Sequence, residues 1–251
     1  MTLFGVRVPM MASLILWCVL WEIVGRLDLI FLVPPFTAVL AAAWELVNTG
    51  TFQRATVTTL WAFFVGMGFA IAVGVPVGLL MGRVPAADRL LGMWVNVFVS
   101  APLSALVPVL MILLGMGETT VVATVFLFAV WIIVLDTRAG VQHVPASLLE
   151  MARSYGAGRW RTLTRIVILS ALPEILAGIR LGMIRGVKGV VIGQLLISII
   201  GYGELFELYS RNFLMEQFWA LTILLFAFAM LVAEGVGMLE KKIEYYAGVR
   251  Q

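Results

Sequence analysis

An all-α membrane protein with about six transmembrane helices is the fold this sequence predicts, and three observations carry the prediction. Of its 251 residues, 62% are hydrophobic and 12% charged, whereas a soluble domain carries about 25% charged residues. The mean hydropathy is +1.06, which leaves too little polar surface to cover a core in water. The apolar stretches are also long enough to cross a bilayer, which takes roughly 20 residues at about 1.5 Å rise each.

Six apolar segments are read along one domain, 1–251: residues 8–24, 56–81, 90–114, 119–135, 175–200 and 218–239. The first is not followed by a small-residue cleavage site, so it is expected to be a retained span rather than a signal peptide. It holds the single cysteine, Cys18, which excludes an intrachain disulfide and reads as a small packing residue. Between the first two spans Pro34-Pro35 breaks the chain, and Phe36 to Val47 has apolar residues at helical spacing. A short amphipathic or interfacial helix is expected there.

Lys and Arg set the orientation. With the N-terminus inside, eleven fall in cytoplasmic segments, from Arg7 and Arg83 to Lys241, Lys242 and Arg250, against Arg26, Arg54 and Arg211 outside. Both termini are therefore expected in the cytoplasm. The basic excess, 17 residues against 14 acidic, is too small to suggest nucleic acid.

Residues 136–173 exceed what a helix hairpin needs. Pro145 followed by Ala146 to Ala152 reads as a short helix, Gly156-Ala157-Gly158 as its stop, and a second helix starts at Arg159 with Trp160, Arg161 and Arg165. By physics alone this basic pair is either a membrane-surface element or a docking surface for a soluble partner.

Within it, Glu150-Met151-Ala152-Arg153-Ser154-Tyr155-Gly156, then nine residues, then Ile166, resembles the EAA loop of bacterial ABC importer permeases. Ala101 to Pro108 with Gly115-Met116-Gly117, and Leu172-Pro173 with Gly178 to Leu181, look like the nitrate, taurine and aliphatic-sulfonate branch of that family. The resemblance covers roughly residues 35 to 245. Met151 replaces the family's first alanine, Leu169 stands where it has a proline, and Gln194 where many members carry glutamate.

The resemblance implies a type I importer permease in the bacterial cell inner membrane, with membrane lipid around it and an extracytoplasmic substrate-binding protein outside. It implies that Glu150, Ala152, Arg153, Tyr155 and Gly156 couple the chain to a cytoplasmic ATPase. The sequence holds no G-x-x-x-x-G-K-[ST] loop, so ATP and its magnesium are left to a partner chain. Six helices are few to enclose a path, and a second copy of the chain with two ATP-binding subunits is the expected assembly. No cofactor, catalytic or metal-ligand set is expected; His143, the one histidine, reads as a solvated loop residue.

In the fifth span, Gly178, Gly182, Gly186, Gly189 and Gly193 cluster within an arc of roughly 80° at 100° per residue, a seam for close helix packing. Arg180, Arg185 and Lys188 fall on a neighbouring arc. Arg180 is within snorkelling reach of the headgroups. Lys188, about 22 Å along the helix from Pro173, falls near mid-membrane, where a charge faces water, protein or a ligand. Arg185, Lys188 and Gln194 are therefore the candidate translocation-path residues, for a small anion such as nitrate, a sulfonate or a carboxylate. A secondary transporter or a structural membrane subunit are the competing readings; internal repeats with broken helices would mark the first, and the second would not need the EAA spacing.

Overall fold

The computed structural model describes residues 2–3, 6–7, 10–197 and 199–247. Val8, Ser198 and Arg250, used above, lie outside the described residues. Ahead of the helices, Thr2–Leu3 and Val6–Arg7 pair antiparallel.

The first segment is helix α1, Met10–Arg26. The expected short helix is α2, Phe36–Val47. Proline at its N-cap offers no side-chain cap, and Glu22 of α1 takes that role, accepting from the Thr37 amide at 2.9 Å. The second span is α3, Gly50–Arg83, whose Thr49 hydroxyl caps the Phe52 amide. The helix thus begins six residues before the expected 56.

The third segment corrects the sequence reading. Residues 90–114 are not one straight helix but α4, Pro85–Ser100, and then a 3-10 turn, Leu103–Leu106, leading into α5, Val107–Leu114. The two halves are bent by 97°. Pro102 is the cause: the residue before a proline is pushed out of the helical region, and Ala101 has ψ 147.

Residues 119–135 belong to α6, Glu118–Gln142, which runs seven residues past the expected end. The loop expected over 136–173 therefore starts only after Gln142. It consists of α7, Ala146–Ser154, α8, Arg159–Thr162, a π turn at Leu163–Val167, and α9, Ile168–Ser170. A 62° bend leads into α10, Leu172–Ile197. The next helix, α11 at Gly201–Arg211, was not foreseen. Helix α12, Met215–Ala247, closes the chain. Among the described residues three helices are long and apolar enough to cross a membrane, or five if each bent pair is one span. Helix α1, the first segment read from the sequence, has 17 residues and about 25 Å of rise and is not among these.

Helix α6 is the axis of the bundle, and glycines bring two neighbours onto it. Along α3, a Cβ added at Gly66 would stand 2.6 Å from Val125 Cβ, at Gly74 2.9 Å from Ile133 Cγ2, and at Gly78 2.6 Å from Thr137 Cβ. Along α10, a Cβ at Gly178 would meet Asp136, at Gly182 Ile133, at Gly189 Phe128 and at Gly193 Thr124, all within 3.3 Å. The seam read in the fifth span is thus one of two. In lipid the hydrophobic effect does not join helices, so close van der Waals packing at small residues does. Phe63, Val121, Val125, Ala129, Ile133 and Val190 are fully buried at this junction.

A second cluster joins α2, α11 and α12 to the start of α3, with Val39, Leu46, Phe52, Tyr202, Leu205 and Leu221 at its centre. Buried threonines do not disrupt the helices, because Thr59 and Thr124 return their hydroxyls to Ala55 and Thr120 carbonyls at 2.8 Å.

The α3–α6 seam makes a testable contrast. Gly78→Val should cost about 1–3 kcal/mol by overpacking, read as a lower thermal midpoint of the purified chain. Gly68→Ala, where nothing lies within 4 Å, should leave the midpoint unchanged or slightly raised; equal behaviour of the two would reject the seam.

Candidate functional site

Two regions carry the candidate residues. The first is the segment after α6. Helix α7 begins at Pro145, whose φ of −55 suits a helix start, and ends in a tight left-handed cap. Gly156 has φ +69, its amide donates to Arg153 O at 2.9 Å, and the Ala157 amide donates to Ala152 O at 2.9 Å. This paired 6→1 and 5→2 pattern is the Schellman arrangement, for which glycine is favoured because a Cβ opposes positive φ.

The same short helix has an inner and an outer side. Ala152 is 3% exposed, whereas Glu150, Arg153 and Tyr155 are exposed, Tyr155 by 86%. Trp160 follows at 75%, with Arg159, Arg161 and Arg165 also outward. A Cβ on Gly156 would meet nothing within 4 Å, so the turn faces open space. Beneath it Val141, Val144, Val167, Ala171 and Ile175 form a small core, which fixes the segment to α6 and α10. Alongside, Arg138 of α6 grips Asp88 of α4 through both nitrogens, Nη2 to Oδ2 at 2.8 Å and Nε to Oδ1 at 2.5 Å.

The second region is the polar side of α10. Because its glycines turn toward α6, Arg185 and Lys188 point off that seam; Arg185 is half-buried and Lys188 exposed. The structure brings both to a cavity of about 240 Å³ lined also by Val99, Ala101, Leu103 and Phe128. Three of those residues flank the bend between α4 and α5, so the cavity exists because the third segment is broken. The pattern Ala101-Pro102 was its sequence signal.

Gln194 does not join that group. It is 1% exposed, and its Oε1 accepts from Thr59 Oγ1 at 3.0 Å and from the Tyr202 amide at 3.2 Å. Helix α11 folds back so closely that a Cβ at Gly203 would overlap Gln194 O. A residue enclosed this way ties α3, α10 and α11 together. Nearby, Thr56 and Tyr202 hydroxyls share a hydrogen bond at 2.9 Å. At this end of the bundle a further cavity of about 270 Å³ gathers Arg54, Glu118 and Glu204. Among the described residues no group of three His, Cys, Asp or Glu converges.

The family model described as "Binding-protein-dependent transport system inner membrane component" matches residues 74–245. The chain is 26% identical to the taurine transport system permease protein TauC of Escherichia coli (strain K12), over 91% of this chain and 86% of that protein. It is 24% identical to the bicarbonate transport system permease protein CmpB of Synechocystis sp., over 95% and 89% respectively. Identity reaches 35% with the osmoprotectant import permease protein OsmY of Salmonella typhimurium, over 58% of this chain and 62% of that one. Among solved structures, an inward-facing form of the MetNI methionine ABC transporter superposes with a TM-score of 0.65 at 20% identity, covering 78% of this chain and 99% of that one.

The Gln194 tie is open to test. Gln194→Leu removes the acceptor of the buried Tyr202 amide, while the Thr59 hydroxyl keeps the Ala55 carbonyl; this should cost about 1–3 kcal/mol, seen as a lower thermal midpoint. An unchanged midpoint would reject the tie.

Proposed function

Because the chain belongs to the family of binding-protein-dependent transport system inner membrane components, we propose that it lines the path of a small anion and couples it to ATP hydrolysis through the Ala146–Ser154 helix. As a member of that family the chain is the permease subunit of an ABC importer, a non-catalytic membrane subunit that works with an ATPase and a substrate-binding protein. In the full assembly two copies meet two ATP-binding subunits in the bacterial inner membrane, with both termini in the cytoplasm.

The observation that carries the coupling assignment is the outward side of α7. Glu150, Arg153 and Tyr155 stand exposed on a helix whose other side, at Ala152, is buried. Its end is fixed by the cap at Gly156. Such a helix is rigidly attached yet presents an exposed outer surface, the shape needed to seat in a groove of a soluble partner. Glu150 supplies a carboxylate for a basic group there, and Tyr155 an aromatic anchor.

For the path, the support is the meeting of Arg185 and Lys188 at one cavity beside the α4–α5 bend. Two cations in a low-dielectric surrounding favour an anion and repel a cation. The likeness to taurine and bicarbonate permeases supports a sulfonate or carboxylate head.

Two experiments test this in the reconstituted complex. Replacing Gly156 with Leu forces a side chain into a left-handed backbone at a cost of about 1–2 kcal/mol, and Glu150→Lys reverses the docking charge. Each should leave membrane insertion intact and lower ATP-driven uptake roughly tenfold; normal uptake in both would reject the coupling assignment. Lys188→Met keeps most of the apolar stem, so anion uptake should fall while the thermal midpoint holds. Unchanged uptake with a lowered midpoint would assign Lys188 a purely structural role.

A further inference from the structure

Helix α4 differs from its neighbours in how lightly it is held. Both its ends are proline breaks: Val84 is extended before Pro85, and Ala101 before Pro102. Gly92 and Val95 are buried, while Leu90, Met93, Trp94 and Val97 are exposed. At its start the Asp88–Arg138 fork pins it to α6, and Gln142 Nε2 also donates to Asp88 Oδ2 at 3.4 Å. At its far end the attachment is apolar. The Phe98 ring lies flat on Trp131 of α6, with centroids 4.3 Å apart and planes within 5°.

That stack adjoins the cavity of Arg185 and Lys188. Val99, next in sequence to Phe98, and Phe128, one turn from Trp131 on α6, both line it. From Phe128 to Trp131 the axial rise is about 4.5 Å, in the direction of Gln142 and α7. The two rings therefore stand on the α7 side of the cavity. Trp131 Nε1 is enclosed and has no hydrogen-bond partner among the described residues. A buried N–H without an acceptor is costly. Parting the rings gives that N–H access to an acceptor, so the closed pair is poised to open.

We propose that Phe98 and Trp131 are the inner gate of the path, closing the cavity toward α7 and parting when α4 pivots about its Asp88 end. This rests on the reading of Arg185 and Lys188 as path residues. With the rings stacked, two flat apolar faces exclude water and the anion from the α4–α6 contact. When the Phe98 end swings off α6, the indole N–H comes free and donates to the water or anion that enters. The fork keeps α4 attached throughout, because a bidentate, charge-assisted pair holds more strongly than an aromatic contact. Trp131 belongs to the tightly packed α6, so Phe98 is the half of the gate that moves.

Thiol labelling from one side of the membrane tests the gate. In a Cys18→Ala background, Ala101→Cys in the cavity wall is labelled with the membrane-impermeant anion sulfonatoethyl methanethiosulfonate, in vesicles carrying the full complex in either orientation. Phe98→Ala should raise the labelling rate from the α7 side roughly tenfold as the open fraction rises, and leave the rate from the opposite side within about twofold. Trp131→Ala should do the same, and the two together should add little, as expected for residues that act as one contact. Trp131→Phe keeps the stack and should stay near the parent rate. Should either alanine variant not assemble, Phe98→Leu keeps apolar bulk without the flat face and gives the same contrast. A rate from the α7 side that Phe98→Ala and Phe98→Leu leave unmoved overturns the gate. So does an equal rise from both sides, the mark of loosened packing. No labelling of Ala101→Cys from either side, in any variant, overturns the path reading itself.

Discussion

The close approach of α3 and α10 to α6 is the constraint on which the rest of the structure depends. A bilayer gives apolar helices no reason to prefer one another over lipid tails, so only tight contact distinguishes a partner helix from solvent. Glycine rows on both neighbours provide that contact, with Thr137, Ile133 and Val125 of α6 seated directly on backbone. Three helices packed to this tolerance cannot slide by a fraction of a turn without overlap, because packed interiors transmit displacement instead of absorbing it. The segment at residues 143–171 leaves α6 and returns into α10, so both its ends are rooted in the same unit. A push on α7 therefore moves the whole unit.

That geometry also decides where charge goes. With Gly178, Gly182, Gly189 and Gly193 of α10 set against α6 and Gly186 against α3, Arg185 and Lys188 are turned away from the seam. They reach the one place where α4 gives way to α5 and opens a cavity. Pro102 makes the opening, and the Asp88–Arg138 pair holds the start of α4 to α6 on the α7 side. The proposed path and the proposed coupling segment are thus two outputs of one packing solution, separated along α6 but attached to the same helix.

Much of this was legible in the sequence. Apolar length and the glycine spacing in residues 178–193 placed the helices and one seam. The Glu150-to-Gly156 pattern located the outward helix, and the proline pair before Phe36 located α2. What was missed has identifiable causes. The bend at Ala101-Pro102 sits within an unbroken apolar run, and hydropathy does not register a backbone kink. Asp136 and Arg138 carry charge, which looks like a loop, yet α6 continues through both, with Arg138 paired to Asp88 of α4. Helix α11 is polar on one side and short, so it resembles a loop until Gly201 and Gly203 fold it onto Gln194. Gln194 is read from the sequence as a path residue because a polar side chain in a span is costly; in the fold its oxygen faces Thr59 and the Tyr202 amide.

Rigid transmission through the α3–α6–α10 unit is most directly tested by distance measurement between spin labels in the assembled complex, with Cys18 replaced. Labels at Phe64 and Leu181, on exposed faces of α3 and α10, report on the unit; a label at Tyr155 in each copy reports on α7. Between nucleotide-free and ATP-trapped states the account predicts that the 64–181 distance within one chain stays constant to about 2 Å while the separation between the two Tyr155 sites changes by more than that. A 64–181 distance that shifts as much as the Tyr155 separation would contradict it, because the seam would then be sliding.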